Sequence, residues 1–254
     1  MTRPVLVLGP SLGTSAATLW GDCARLLEPD LDVVAWDLPG HGSDRTGPHR
    51  TRGPLSMVDL AARVLDQVSA RSEGPFHYAG NSVGGAVGLQ LLLDVPDRVA
   101  SAVLLCTGAR LGTAQSWQER TDRVLRSGTA SVVEESAGRW FGARFLDREP
   151  ARASALLHAL ADTDDDGYAA VCGALATFDV RDRLGEVASP VLAVAGAEDV
   201  ATPPESLREI ADGVRDGRLV VLDGVGHLAP AEAPEAVADL VRRQVRSTTV
   251  GGAA

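Results

Sequence analysis

The sequence predicts an α/β fold, a mostly parallel sheet flanked by helices, on three observations. Short continuous apolar runs punctuate the chain, as expected of strands buried on both faces of a parallel sheet. Amphipathic helical patterns separate them and supply the crossovers that parallel neighbours need. One run ends on a serine fenced by glycines, Gly80-Asn81-Ser82-Val83-Gly84, and passes at once into a second apolar stretch. A strand that turns that sharply into a helix strains its turn residue and tolerates only glycine two positions either side.

In order, Val5 to Leu8 is the first strand, broken by Pro10-Ser11-Leu12-Gly13, and Thr18 to Leu27 is helical. Val33 to Trp36 is the next strand, with the turn-rich loop Asp37-Leu38-Pro39-Gly40-His41-Gly42 at its carboxyl end. Leu55 to Val68 has helical spacing, and the strand from Phe76 and its following helix close at Pro96. Val99 to Leu105, Val191 to Ala195 and Leu219 to Leu222 are the remaining strands.

Between Arg110 and Asp182 no strand is evident, only helical patterns such as Gln115 to Leu125, Ala151 to Leu160 and Tyr168 to Phe178. A stretch that long is not a plain loop. The expected organisation is a core of residues 1–109 and 183–254 interrupted by a helical lid, 110–182, over the carboxyl ends of the strands, where open α/β sheets bind ligands. The small and polar Ser247 to Ala254 is expected to be a frayed tail.

A net charge of -10 over 254 residues argues against a nucleic-acid surface. The apolar stretch after Met1 is too short for a signal peptide and no window approaches a membrane span, so a cytoplasmic protein is expected. Cys23, Cys106 and Cys172, odd in number and widely spaced, read as core residues rather than a disulfide or metal framework. The run Asp162, Asp164, Asp165, Asp166 lacks the spacing of a calcium loop and reads as a solvated helix start, so no metal ligands are expected.

A serine nucleophile needs a base, and the base needs an acid that holds its tautomer. The strand Val191 to Ala195 runs into Gly196-Ala197-Glu198-Asp199, and Leu219 to Leu222 into Asp223-Gly224-Val225-Gly226-His227. Asp199 and His227 therefore arrive at the same end of the sheet as Ser82. Glu198 competes with Asp199, and Asp223 is a turn residue. The oxyanion donors expected are the N–H groups of Val83 and, from the loop after the first strand, Leu12, with Ser11 as the alternative because Pro10 has no N–H. His41 reads as a hydrogen bonder that fixes its loop, and His49, His77 and His158 as structural or solvated.

With these residues in place the chain resembles the α/β-hydrolases, and within them the 3-oxoadipate enol-lactonases of aromatic degradation. The resemblance rests on Leu8-Gly9-Pro10-Ser11-Leu12-Gly13-Thr14, Asp37 to Gly42 and the Ser82 elbow. It continues through Arg139-Trp140-Phe141, Arg144-Phe145, Tyr168 to Cys172, Phe178 to Leu184, Gly196 to Pro204 and Gly226-His227. It implies an α/β-hydrolase fold, here with a shortened N-terminus because Met1 stands almost on the first core strand. The implied activity is serine hydrolysis of a lactone without a cofactor. The implied substrate is a small anion, which Arg139, beside Trp140, and Arg144 would hold. Asn81, more polar than its counterpart in many relatives, is expected to bear on the substrate. A carboxylesterase, a carbon–carbon bond hydrolase or a hydrolase-fold ligand receptor are the other readings.

Overall fold

The computed structural model of the chain describes residues 3–44 and 54–251; His49 lies outside the described residues. The apolar runs become strands β1 (Val5–Gly9), β2 (Asp32–Ala35), β3 (Phe76–Asn81), β4 (Val99–Leu105), β5 (Val191–Gly196) and β6 (Gly217–Leu222). Among the described residues these form one six-stranded sheet in the order β2-β1-β3-β4-β5-β6, with every neighbouring pair parallel. Burial explains why they were legible: each residue of β3 and β5 is buried, whereas the edge strand β6 is only partly covered.

The chain steps from β1 out to β2 and returns to β3 on the other side of β1. This reversal opens a crevice at the carboxyl ends of β1 and β3, where Gly9 and Gly80 are register partners. The loop after β1 and the serine after β3 are thereby placed side by side.

Helices α1 (Ala16–Leu27), α2 (Met57–Ser69) and α3 (Val83–Asp94) cover the sheet with α9 (Pro204–Gly213), the short α10 (Ala229–Glu232) and α11 (Pro234–Gly251). Ser15 and Ser56 start α1 and α2 with reciprocal capping boxes. Helix α3 is buried on nearly all sides, consistent with its apolar sequence. The expectation of a frayed tail over Ser247 to Ala254 is corrected for Ser247 to Gly251, which continue α11, with Ser247 Oγ donating to the Gln244 carbonyl at 2.8 Å; residues 252–254 lie outside the described residues. The three cysteines are buried and free of disulfides, and burial pushes the thiols of Cys23 and Cys172 up to about 12.

Between β4 and β5 lie α4 (Ala114–Ser127), α5 (Val133–Trp140), α6 (Phe145–Arg148), α7 (Pro150–Ala161) and α8 (Asp165–Thr177). The ends of this helical segment are tied together by an antiparallel bridge between Arg110 and Asp179 and by the Val180 N–H on the Ala109 carbonyl at 2.9 Å. Asp164, Asp165 and Asp166 form the expected helix start, whereas Asp162 closes α7: Asp164 caps α8 by accepting the Gly167 N–H at 2.8 Å, and Asp165 accepts the Thr129 N–H at 2.8 Å. Among the described residues no helix is long and apolar enough to cross a membrane.

Candidate active site

Ser82 sits between β3 and α3 at φ 54° and ψ -119°, a backbone conformation that costs a non-glycine residue about 1–3 kcal/mol. Its surroundings hold it there. The Ser82 N–H donates to the Leu105 carbonyl at 2.9 Å, and its own carbonyl accepts from Thr107 Oγ1 at 2.7 Å and the Ala86 N–H at 3.0 Å. The flanking glycines are required by close approach. A Cβ on Gly80 would stand 2.3 Å from the Gly84 carbonyl oxygen, and one on Gly84 would stand 2.5 Å from that of Pro10.

From the strand ends on the far side of β4 come the other two predicted residues. His227 Nε2 lies 3.0 Å from Ser82 Oγ, and His227 Nδ1 lies 2.8 Å from Asp199 Oδ2. All three are buried. Asp199 also accepts the N–H groups of Ala201 at 2.8 Å and Thr202 at 3.0 Å, and the Thr202 hydroxyl at 2.7 Å. Burial opposes its ionisation, but the His227 ring and these hydrogen bonds outweigh it and hold the carboxyl below its ordinary value. A carboxylate, an imidazole and a hydroxyl in that order can pass a proton from the hydroxyl to the ring.

Ser82 and His227 open into a cavity of ≈ 240 Å³ whose lining includes Ser11, Leu12, Trp140 and Arg139. The Ser11 N–H is already engaged by Thr14 Oγ1 at 3.1 Å. Val83 begins α3, where the first N–H groups of a helix have no intrahelical acceptor.

The cavity wall supplied by α4, α5 and α8 contains a cationic cluster of which the sequence singled out Arg139 but not Arg120 or Arg123. Arg120 donates to Tyr168 Oη at 2.7 Å, Glu135 at 3.0 Å and Ser136 at 2.7 Å. Arg123 and Arg139 face the same Glu135 carboxylate at 2.7 Å and 3.7 Å. With Glu119 also in the lining, three guanidiniums stand against two carboxylates, a local positive excess in a chain of net charge -10. On an amphipathic helix such arginines read as a solvated face, so periodicity carries no sign of the cavity.

Arg144 is placed elsewhere. It is exposed at the start of α6 and outside the cavity lining. Its displacement follows from the preceding loop, where Glu232 accepts the Gly142 N–H at 2.9 Å and Glu198 the Ala143 N–H at 2.6 Å, drawing the chain down onto the core. Glu198, the competing acid, thus faces the helical segment rather than His227. Asn81 is also corrected: it is fully buried behind Ser82, and its amide donates to the His227 carbonyl at 3.0 Å rather than lining the cavity.

The other described histidines, His41, His77 and His158, stand outside the cavity lining. His41 Nδ1 lies 2.8 Å from the Pro39 carbonyl, and its ring stacks on Tyr168 at 6.1 Å. His77 Nδ1 pairs with Ser101 Oγ at 2.8 Å. His158 is exposed, its Nδ1 3.3 Å from Ser154 Oγ.

Strand-ordered Ser, Asp and His groups on a parallel sheet with a helical segment above them define an α/β-hydrolase, and residues 5–240 match the model of the alpha/beta hydrolase family. The chain belongs to that family. It is 31% identical over 234 residues to 3-oxoadipate enol-lactonase 2 of Acinetobacter baylyi, covering 92% of this chain and 85% of that protein. A protein of Variovorax paradoxus whose name assigns it provisionally to carbamate hydrolysis is 31% identical over 226 residues, covering 87% of this chain and 84% of its own. The crystal structure of the enol-lactonase from Burkholderia xenovorans LB400 superposes with a TM-score of 0.91 at 28% identity, covering 97% of this chain and 92% of that one.

Proposed function

We propose that the chain is a serine hydrolase that opens a small anionic lactone, of the 3-oxoadipate enol-lactone type, through an acyl-enzyme on Ser82. The observation that carries the reading is the continuous chain from Asp199 through His227 to Ser82 Oγ, at 2.8 Å and 3.0 Å, at the floor of the cavity. Ser82 Oγ attacks the lactone carbonyl while His227 Nε2 takes its proton, and Asp199 steadies the imidazolium. The N–H groups of Leu12 and Val83 take the oxyanion, a role supported by the engagement of the Ser11 N–H and by the position of Val83 at the start of α3. Collapse breaks the ring C–O bond, and the departing enolate takes the proton from His227. Water, deprotonated by the same ring, then attacks the acyl carbon and releases Ser82 with the second carboxylate.

The anionic preference rests on the arginine excess around Glu135, with Arg139 and Trp140 lining the same cavity as the reacting serine. The helical segment 110–182 acts as the lid that shields the acyl-enzyme. The test is a panel of enol-lactone, neutral p-nitrophenyl esters and ring-cleavage products, run on wild type and Ser82→Ala. Fast turnover of the enol-lactone, lost in the variant, is expected. Faster turnover of neutral esters or carbon–carbon cleavage would replace the substrate assignment, and stoichiometric phosphonylation of Ser82 without turnover of any compound would favour a receptor.

A further inference from the structure

We propose that Glu232 is a positioning residue, a buried carboxylate that fixes the backbone on both sides of His227 and couples it to the loop that follows Trp140, the last residue of α5 and part of the cavity lining. The inference rests on the serine hydrolase reading above. Glu232 is 4% exposed. Its Oε1 accepts the N–H groups of Gly226 at 3.1 Å and Leu228 at 3.2 Å, the two neighbours of His227. Its Oε2 accepts Gly226 again at 3.1 Å and, from the helical segment, the Gly142 N–H at 2.9 Å. One side chain therefore gathers three backbone donors from two parts of the chain far apart in sequence.

The same junction is closed from the His227 side. The His227 N–H donates to the Trp140 carbonyl at 2.8 Å, and Trp140 lines the cavity. Space confirms how tightly the loops meet: a Cβ on Gly226 would stand 2.5 Å from the Gly142 nitrogen. A carboxylate is costly to bury at such a place, and three N–H donors compensate it only while both loops keep this arrangement. Moving either loop shifts the imidazole relative to Ser82 Oγ, and a displacement of about 1 Å at reacting groups costs about 10²-fold in rate.

In Glu232→Gln the amide nitrogen must face one of the N–H donors, so either the Gly142 tether or a His227 neighbour is lost. Glu232→Asp keeps the charge and withdraws it by one methylene. The experiment measures the rate at which a fluorophosphonate labels Ser82 in wild type and both variants, below the onset of thermal unfolding, together with the proton resonance of the His227 Nδ1–H that faces Asp199. The expected result is labelling slowed about tenfold or more in both variants, with the resonance broadened or lost. A merely structural Glu232 would lower the melting temperature and leave both readouts at the wild-type level, and that result overturns the proposal. Should Glu232→Gln fail to fold, Glu232→Asp decides alone by the same two readouts. Wild-type protein that is not labelled at Ser82 overturns the nucleophile assignment and the positioning role with it, whereas labelled wild type with equally reactive variants overturns the positioning role only.

Discussion

The side-chain amide of Asn81 donates to the backbone carbonyl of His227 at 3.0 Å, so the residue before the serine holds the residue that serves it. Asn81→Ala leaves that buried carbonyl unpaired, which costs about 1–3 kcal/mol of stability. Because Asn81 stands behind the elbow, kcat should fall alike for short and long acyl chains while KM stays near its wild-type value. A series of p-nitrophenyl esters checks this; a change in chain-length preference would return Asn81 to the pocket.

Asp199 and Thr202 should differ sharply when altered. Asp199→Asn presents the wrong partner to His227 Nδ1 and is expected to lower kcat by about 10⁴. Thr202→Val removes one hydroxyl donor at 2.7 Å, yet the Ala201 N–H, the Thr202 N–H and His227 still hold the carboxylate. Its loss should be far smaller, and steady-state kinetics of the pair gives the ratio directly.

Leu12 is expected to act through its N–H alone. Losing one oxyanion donor costs about 10²–10³ in kcat, so Leu12→Ala, which keeps the N–H, should remain well above that level. Affinity for a trifluoromethyl ketone, whose adduct carries the oxyanion, should likewise survive the substitution.

What the sequence displayed and what it hid divide by the range of the interactions. Fully buried strands such as β3 and β5 show as unbroken apolar runs because both faces meet helices. Ser82, Asp199 and His227 follow from those runs because each stands just past a strand's carboxyl end. Helices α5 and α6 were not legible: α6 is four residues long and forms where Phe145 is buried, without a repeat of its own. Glu232 and Asn81 left no periodic trace either, since their partners are fixed by tertiary packing. The cationic wall depends on α4 meeting α8 through Arg120 and Tyr168.

Arg139 and Arg144 offer a paired test of substrate charge. Arg139 lines the cavity and Arg144 does not. Arg139→Ala should raise KM much more for a carboxylated lactone than for a neutral ester, and Arg144→Ala should change neither. Removing Arg139 leaves Arg120 and Arg123 against Glu119 and Glu135 and cancels the local cation excess, while Ser82, His227 and Asp199 keep their contacts, so the loss should fall on KM and kcat should be retained. Equal effects of Arg139→Ala on charged and neutral substrates would exclude a role in charge recognition.

His41 should make stability depend on pH. Burial lowers its pKa from 6.5 to about 4, against the bond to Pro39 and the fields of Asp37, Asp164 and Asp44, which raise it. Between those values the unfolded chain binds a proton that the folded protein excludes, so stability is lost as pH falls from 6.5 towards 4. The full interval corresponds to about 3 kcal/mol. Glu232 works the other way: burial raises its carboxyl above the usual 4.5 despite the N–H groups it accepts, so its share of stability is lost as pH rises through the raised value. That contribution is common to wild type and His41→Gln and cancels in their difference. Urea unfolding of both proteins from pH 7 to pH 4 should therefore show wild type losing more stability than His41→Gln, by about 3 kcal/mol. Parallel pH profiles would mean that His41 takes up its proton in the folded protein, stacked on Tyr168.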